Sequence, residues 1–175
     1  MRQTLIPHPD LPHPPLRIDV EVRRPAPGRL RLLYAVTGPI ADLSVPPPGA
    51  LIRAGALWEH TCFEAFLGAG SGYFEFNFAP SRAWAAYRFD SPRGGMREAA
   101  IAQPRIETRS DARNLELSAT IDIDPDATAG RLGLAAVIEE KSGRRSWWAL
   151  THPPGDPDFH HQTCFTLGLP AAETP

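Results

Sequence analysis

The stretch GYFEFNFAP, residues 72–80, alternates without a break, with Phe74, Phe76 and Phe78 on one side and Tyr73, Glu75 and Asn77 on the other. A period of two marks a half-buried strand, one face apolar and the other polar. The same alternation recurs on both flanks. Upstream, HTCFEAFLG (60–68) sets Phe63, Ala65 and Leu67 against His60, Cys62 and Glu64. Downstream, RAWAAYRFD (82–90) sets Ala85, Tyr87 and Phe89 against Trp84, Ala86 and Arg88. Short breaks rich in Gly, Ser and Pro separate the three segments, so they read as consecutive antiparallel neighbours.

Farther out the pattern continues. RIDVEV (17–22) and RLRLLYAVTG (29–38) flank a PAPG turn and read as a hairpin. PRIETRS (104–110), NLELSATIDI (114–123), RLGLAAVIEE (131–140), SWWAL (146–150) and CFTLGL (164–169) complete the series. PDATAG (125–130) reads as a break with one short helical turn. The count is about ten short strands, and no segment reads as a helix of three turns. An all-β, antiparallel sandwich is expected, because each half-apolar sheet must cover its apolar face with another. Residues 1–16 are proline-rich and read as an extended surface arm, 17–170 as one domain, and 171–175 as a tail.

The 175 residues carry a formal charge of -2, with 20 prolines and 14 glycines spread without a period. No basic footprint points to nucleic acid or to an anionic membrane as a partner. No run approaches the roughly 18–20 apolar residues of a membrane span, and the opening residues lack the pattern of a secretory leader. A cytoplasmic protein is therefore expected, with Cys62 and Cys164 as free thiols. There is no C-x-x-C, H-E-x-x-H, P-loop or nucleophile elbow, so neither a metal nor another cofactor is expected, nor catalysis.

The polar faces of the middle strands carry the functional signal. If the three strands are neighbours, one shared face holds His60, Cys62, Glu64, Tyr73, Glu75, Asn77, Trp84 and Arg88. A sheet lined by a few polar groups among aromatic rings resembles a small-ligand site; the plainer alternative is a solvated face of cross-strand pairs. Trp58 precedes the first strand. Trp147 and Trp148 must point to opposite faces, so that one is core and one at a rim. In THPPGDPDFHHQTCF (151–165), His160 and His161 likewise oppose each other, and the prolines stiffen a loop that frames the site. The candidate ligand contacts are Trp58, His60, Glu64, Tyr73, Glu75, Asn77, Trp84, Arg88, Trp148, His152 and His160. A near-neutral chain with stacking rings suits an uncharged, soluble sugar or sugar derivative.

LWEHTCFEAFLGAGSGYFEFNFAPSRAWAAYRFD (57–90) and SWWALTHPPGDPDFHHQTCFTLGL (146–169) together resemble the DOMON-like bacterial proteins related to family 9 carbohydrate-binding modules, the MurB-like DOMON group. The likeness spans most of residues 15–170. It rests on a Trp, an acid three positions later and a Glu three beyond that: Trp58 and Glu64 match, whereas Thr61 stands at the acidic position. Asn77 matches an Asn near the end of the next strand. The resemblance implies a β-sandwich that holds sugar or haem. Haem branches ligate iron through a Met and a late His, for which Met96 and His152, His160 or His161 are available. Two further alternatives are an enzyme built on the paired carboxylates Glu64 and Glu75, with His60, and a protein-interaction module with no small ligand.

Overall fold

The computed structural model describes residues 1–123 and 130–173. The break expected at 125–130 lies, apart from Gly130, outside the described residues. Twelve strands form: β1 (Arg2–Pro7), β2 (Arg17–Ala26), β3 (Arg29–Thr37), β4 (Cys62–Ala69), β5 (Gly72–Phe78), β6 (Trp84–Phe89), β7 (Arg97–Glu98), β8 (Arg105–Ser110), β9 (Asn114–Asp122), β10 (Arg131–Glu139), β11 (Arg145–Ala149) and β12 (Leu167–Gly168). They pair in the order β7-β6-β5-β4-β10-β11-β1-β2-β3-β9-β8, with β12 beside β10. All these pairings are antiparallel. The helical pieces among the described residues are single 3₁₀ turns.

This long sheet curls until its halves face each other, which makes the expected antiparallel sandwich. Leu32 and Leu117 from the β2–β3–β9 half meet Phe63, Phe76 and Trp148 from the β4–β5–β11 half in one core. Sheet twist allows such curling, and burial of both apolar faces drives it. Tyr34 crosses the core and donates its hydroxyl hydrogen to the Glu64 carbonyl at 2.7 Å. The phenol thereby satisfies its polar end inside an apolar interior.

Residues 2–7, expected within a surface arm, are instead the strand that joins the halves. Arg2 to Leu5 pair with β2, while Ile6 and Pro7 pair with β11. The proline count over 1–16 averages two unlike segments. All five prolines follow Ile6, and Pro7 sits at the strand's last position, where a missing N–H costs the ladder little. Leu5 is buried, and the His8 amide donates to the Trp147 carbonyl at 2.8 Å. No helix among the described residues is long and apolar enough to cross a membrane.

The two outer faces differ. That of β2, β3 and β9 is open to solvent. That of β4, β5, β6 and β10 is roofed in part by the segment 150–166, under which Phe66, Tyr73, Phe89, Val137 and Phe159 form a second apolar cluster. Gly133 permits this close approach, because a Cβ there would stand 3.1 Å from the Cys164 carbonyl oxygen. Thr151 donates to the Thr163 carbonyl at 2.7 Å and so closes the base of the loop.

Candidate functional site

Register decides which side chains share the roofed face. Glu64 stands opposite Asn77 and Phe66 opposite Glu75 across β4–β5; Glu75 stands opposite Tyr87 and Asn77 opposite Ala85 across β5–β6. Directly opposed residues point the same way, so Glu64, Glu75 and Asn77 share their face with Tyr87, Ala85 and Phe89. Ala135 faces Glu64 from β10, and Ala149 faces Ala135 from β11. Small alanines in that row leave the face dished at the edge of the roof.

A cleft of about 320 Å³ remains there. Glu64 and Glu75 line its base; Trp58, Trp147, Phe89, Arg93, Met96 and Arg145 stand around it, and Phe159 and His160 close it from the roof. Both carboxylates are buried, and Asn77 is fully so. Asn77 Nδ2 donates to Glu75 Oε1 at 2.6 Å. Glu64 Oε1 and Asn77 Oδ1 have no hydrogen-bond partner among the described residues. Buried polar atoms without partners are rare, because each forfeits its hydration for nothing in return. These two lie on directly opposed residues.

The charge states follow from that burial. Desolvation, and secondly the neighbouring Glu75, push the Glu64 carboxyl well above the usual carboxylate range. Burial raises Glu75 too, against the Asn77 hydrogen bond and Arg93. Two carboxyls in one buried site cannot both ionise cheaply, so the pair holds a proton above the usual carboxylate range. His160 comes within 3.8 Å of Glu75, Nε2 to Oε2. It is no ion-pair partner, because burial, assisted by Arg93, drives the imidazole down to about 4. The Arg93 amide donates to Tyr73 Oη at 3.2 Å, and Tyr73 Oη lies 2.7 Å from His160 Nδ1. When the hydroxyl donates its hydrogen to Nδ1, the neutral imidazole carries its own proton on Nε2, facing Glu75.

Six of the eleven expected contacts lie at this site: Trp58, Glu64, Glu75 and His160 line the cleft, with Asn77 beneath its floor and Tyr73 behind His160. The other five do not. Trp84 is opposite Phe78 and Arg88 opposite Phe74, so both point to the inner face. Trp84 is buried there beneath the Arg53 guanidinium, 4.3 Å from its ring centroid, and Arg88 lies 5.0 Å over the Phe74 ring. Trp148, opposite Ala136, is core, where its Nε1 donates to Ser146 Oγ at 2.9 Å; Trp147 is the one at the cleft. His60 is exposed and pairs with Glu139 at 2.9 Å, beside a different groove. His152 leans away from the cleft, with Nε2 3.0 Å from the Ile6 carbonyl and its ring against His8. His161 also turns outward and accepts from the Thr163 amide.

Sequence reasoning missed Arg93 and Arg145, and raised Met96 only as a haem ligand. Arg93 is held by Asp158, 2.8 Å away and 65 positions along the chain, a contact no local pattern announces. Behind His160 lies a second, larger hollow of about 590 Å³, lined by the glycine-rich 68–72 turn, Arg131 and Phe165. None of the buried unpartnered polar atoms belongs to its lining. Among the described residues no group of three or more His, Cys, Asp or Glu side chains is placed to hold a metal ion, and Cys62 and Cys164 are both free and buried.

No family model, curated protein or solved structure matches the chain. The chemistry of the cleft must therefore carry the function.

Proposed function

We propose that the cleft binds a soluble sugar or sugar derivative and does no chemistry on it. The observation that carries this reading is the pairing of buried, under-satisfied acceptors at the base with tryptophan rings at the sides. Hydroxyl groups donate to Glu64 and Glu75, while Trp58 and Trp147 cover the apolar face of a pyranose ring. The DOMON-like resemblance, with its sugar-holding branches, agrees with this. The protein would then act as a binding module of the cytoplasm, with a small molecule as its partner.

Haem is the alternative that the resemblance raises, and Met96 and His160 do line the same cleft. The residues do not fit it. Both ring nitrogens of His160 already face protein groups, Nδ1 the Tyr73 hydroxyl at 2.7 Å and Nε2 the Glu75 carboxylate at 3.8 Å. The two carboxyl groups at the base would also be buried against an apolar porphyrin face, which offers them no hydrogen bond.

Tryptophan fluorescence titrated with glucose, galactose, mannose and their amino and N-acetyl derivatives tests the proposal. A saturable change is expected at millimolar sugar, lost in Trp147→Phe. A flat response to the whole panel would refute it.

A further inference from the structure

The cleft is polarised. At its base Glu64 Oε1 and Asn77 Oδ1 lack partners, and among the described residues no lysine or arginine is paired with either carboxylate; the neutral His160 stands 3.8 Å from Glu75. Arg93 is engaged by Asp158 at 2.8 Å. At the rim Arg145 is exposed, with its guanidinium 5.9 Å from the Trp147 ring centroid and one weak bond to the Glu59 carbonyl at 3.4 Å. No carboxylate among the described residues pairs with it. A ligand hydroxyl brings one donor to the base. A primary ammonium brings three, together with the charge that two carboxylates lack, and the tryptophan faces favour a cation as well.

Building on the sugar-binding reading, we propose that the ligand carries a free primary amine: an amino sugar whose ammonium group seats on Glu64 and Glu75, with any anionic substituent directed to Arg145 at the rim. No covalent bond changes. As the ammonium arrives, the proton held by the carboxyl pair leaves to solvent, so binding weakens as pH falls into the range where both carboxyls are protonated. The titratable and charged groups facing the pair are Cys62 on β4, Tyr73 on β5, Tyr87 on β6, Arg93, Arg145 on β11, and Asp158 and His160 on the roof. His160 is neutral near pH 7 and takes up charge only near pH 4, so a weakening that sets in above that range belongs to the carboxyl pair.

Calorimetry on the full chain near pH 7, with glucose, glucosamine, N-acetylglucosamine and glucosamine 6-phosphate, decides the matter. Glucosamine is expected to bind at least tenfold more tightly than glucose, with N-acetylglucosamine no better than glucose. The glucosamine advantage shrinks as the pH is lowered. In E64Q, isosteric and checked for an unchanged circular dichroism spectrum, the glucosamine-to-glucose affinity ratio falls to near one. In Arg145→Ala the 6-phosphate loses its advantage over glucosamine. Equal binding of glucosamine, glucose and N-acetylglucosamine, or a ratio untouched by E64Q, overturns the amine and leaves the sugar site standing. No binding by any of the four overturns both.

Discussion

The two outer faces of this sandwich carry the same kinds of residue and put them to opposite uses. On the β2–β3–β9 face every acid with an assigned neighbour meets an arginine: Asp19 meets Arg2 and Arg17, Arg23 meets Glu21, and Arg29 meets Asp122. Asp19 is held down to about 2, first by its Arg17 hydrogen bond. On the β4–β5 face Glu64 and Glu75 are buried without a cation, and both carboxyls are pushed up by desolvation. The strands alternate equally well on both faces. What differs is the 150–166 roof, which covers part of one face and has no counterpart over the other among the described residues. An acid in a strand is thus a solvated pair or a ligand group according to what covers it.

The largest test of this contrast removes the roof's footing. Phe66 packs against Phe159, Phe165 and His160, at ring-centroid separations of 6.5, 5.9 and 5.3 Å. Phe66→Ala should cost about 3–5 kcal/mol, the usual range for a buried aromatic. Limited proteolysis should then cut within 150–166. Leu33→Ala, half-buried on the opposite outer face, should cost under about 1 kcal/mol, since it uncovers little. Urea unfolding compares the two, and equal losses would mean that the roof is not what separates the faces.

The next test is electrostatic. The folded Glu64 carboxyl is raised above its unfolded value of 4.5. Its contribution to stability is therefore complete below that value and lost as pH rises through the folded one. Glu64→Gln removes this loss, and its amide can donate to Asn77 Oδ1. The variant should gain about 1–2 kcal/mol over the parent near pH 8, with no gain near pH 4. A gain that does not depend on pH would mean that Glu64 is not titrating in the fold.

How much of this was legible beforehand depends on the range of the contact that settles each residue. The alternation of 72–80 placed the core, and it also placed Glu64, Glu75 and Asn77 together on the face away from it. Trp84 and Arg88 were set on the wrong face because a one-residue difference in register inverts a strand. The clue was local: Phe74, Phe76 and Phe78 need inward partners, and counting back from the turn after Phe78 makes those partners Trp84, Ala86 and Arg88. The choice between Trp147 and Trp148 required knowing that β11 pairs with β10, which no short-range signal gives. Arg93 sits in an aperiodic loop and had no pattern to betray it, and Met96, in the same loop, was raised only by the resemblance. The joining strand β1 was hidden because the prolines that follow it coloured the whole N-terminal segment.

The smallest effect belongs to the solvated face, and there the slope with pH reverses. Asp19 titrates at about 2 in the fold against 3.8 unfolded. Its contribution is present above 3.8 and drains away as pH falls through 2. At about 1.36 kcal/mol per unit the shift sets a ceiling between 2 and 3 kcal/mol. Arg2 and Arg17 are largely exposed, so water and salt screen the pair, and a loss of about 1 kcal/mol in Asp19→Asn at pH 7 is the reasonable expectation. The loss should fade toward pH 2 and shrink at high salt, whereas the Glu64→Gln gain, arising behind a roof that keeps ions out, should survive the salt. If both variants responded to salt alike, the carboxylates beneath the roof would be as wet as Asp19, and the cleft would lose the dryness on which its selectivity rests.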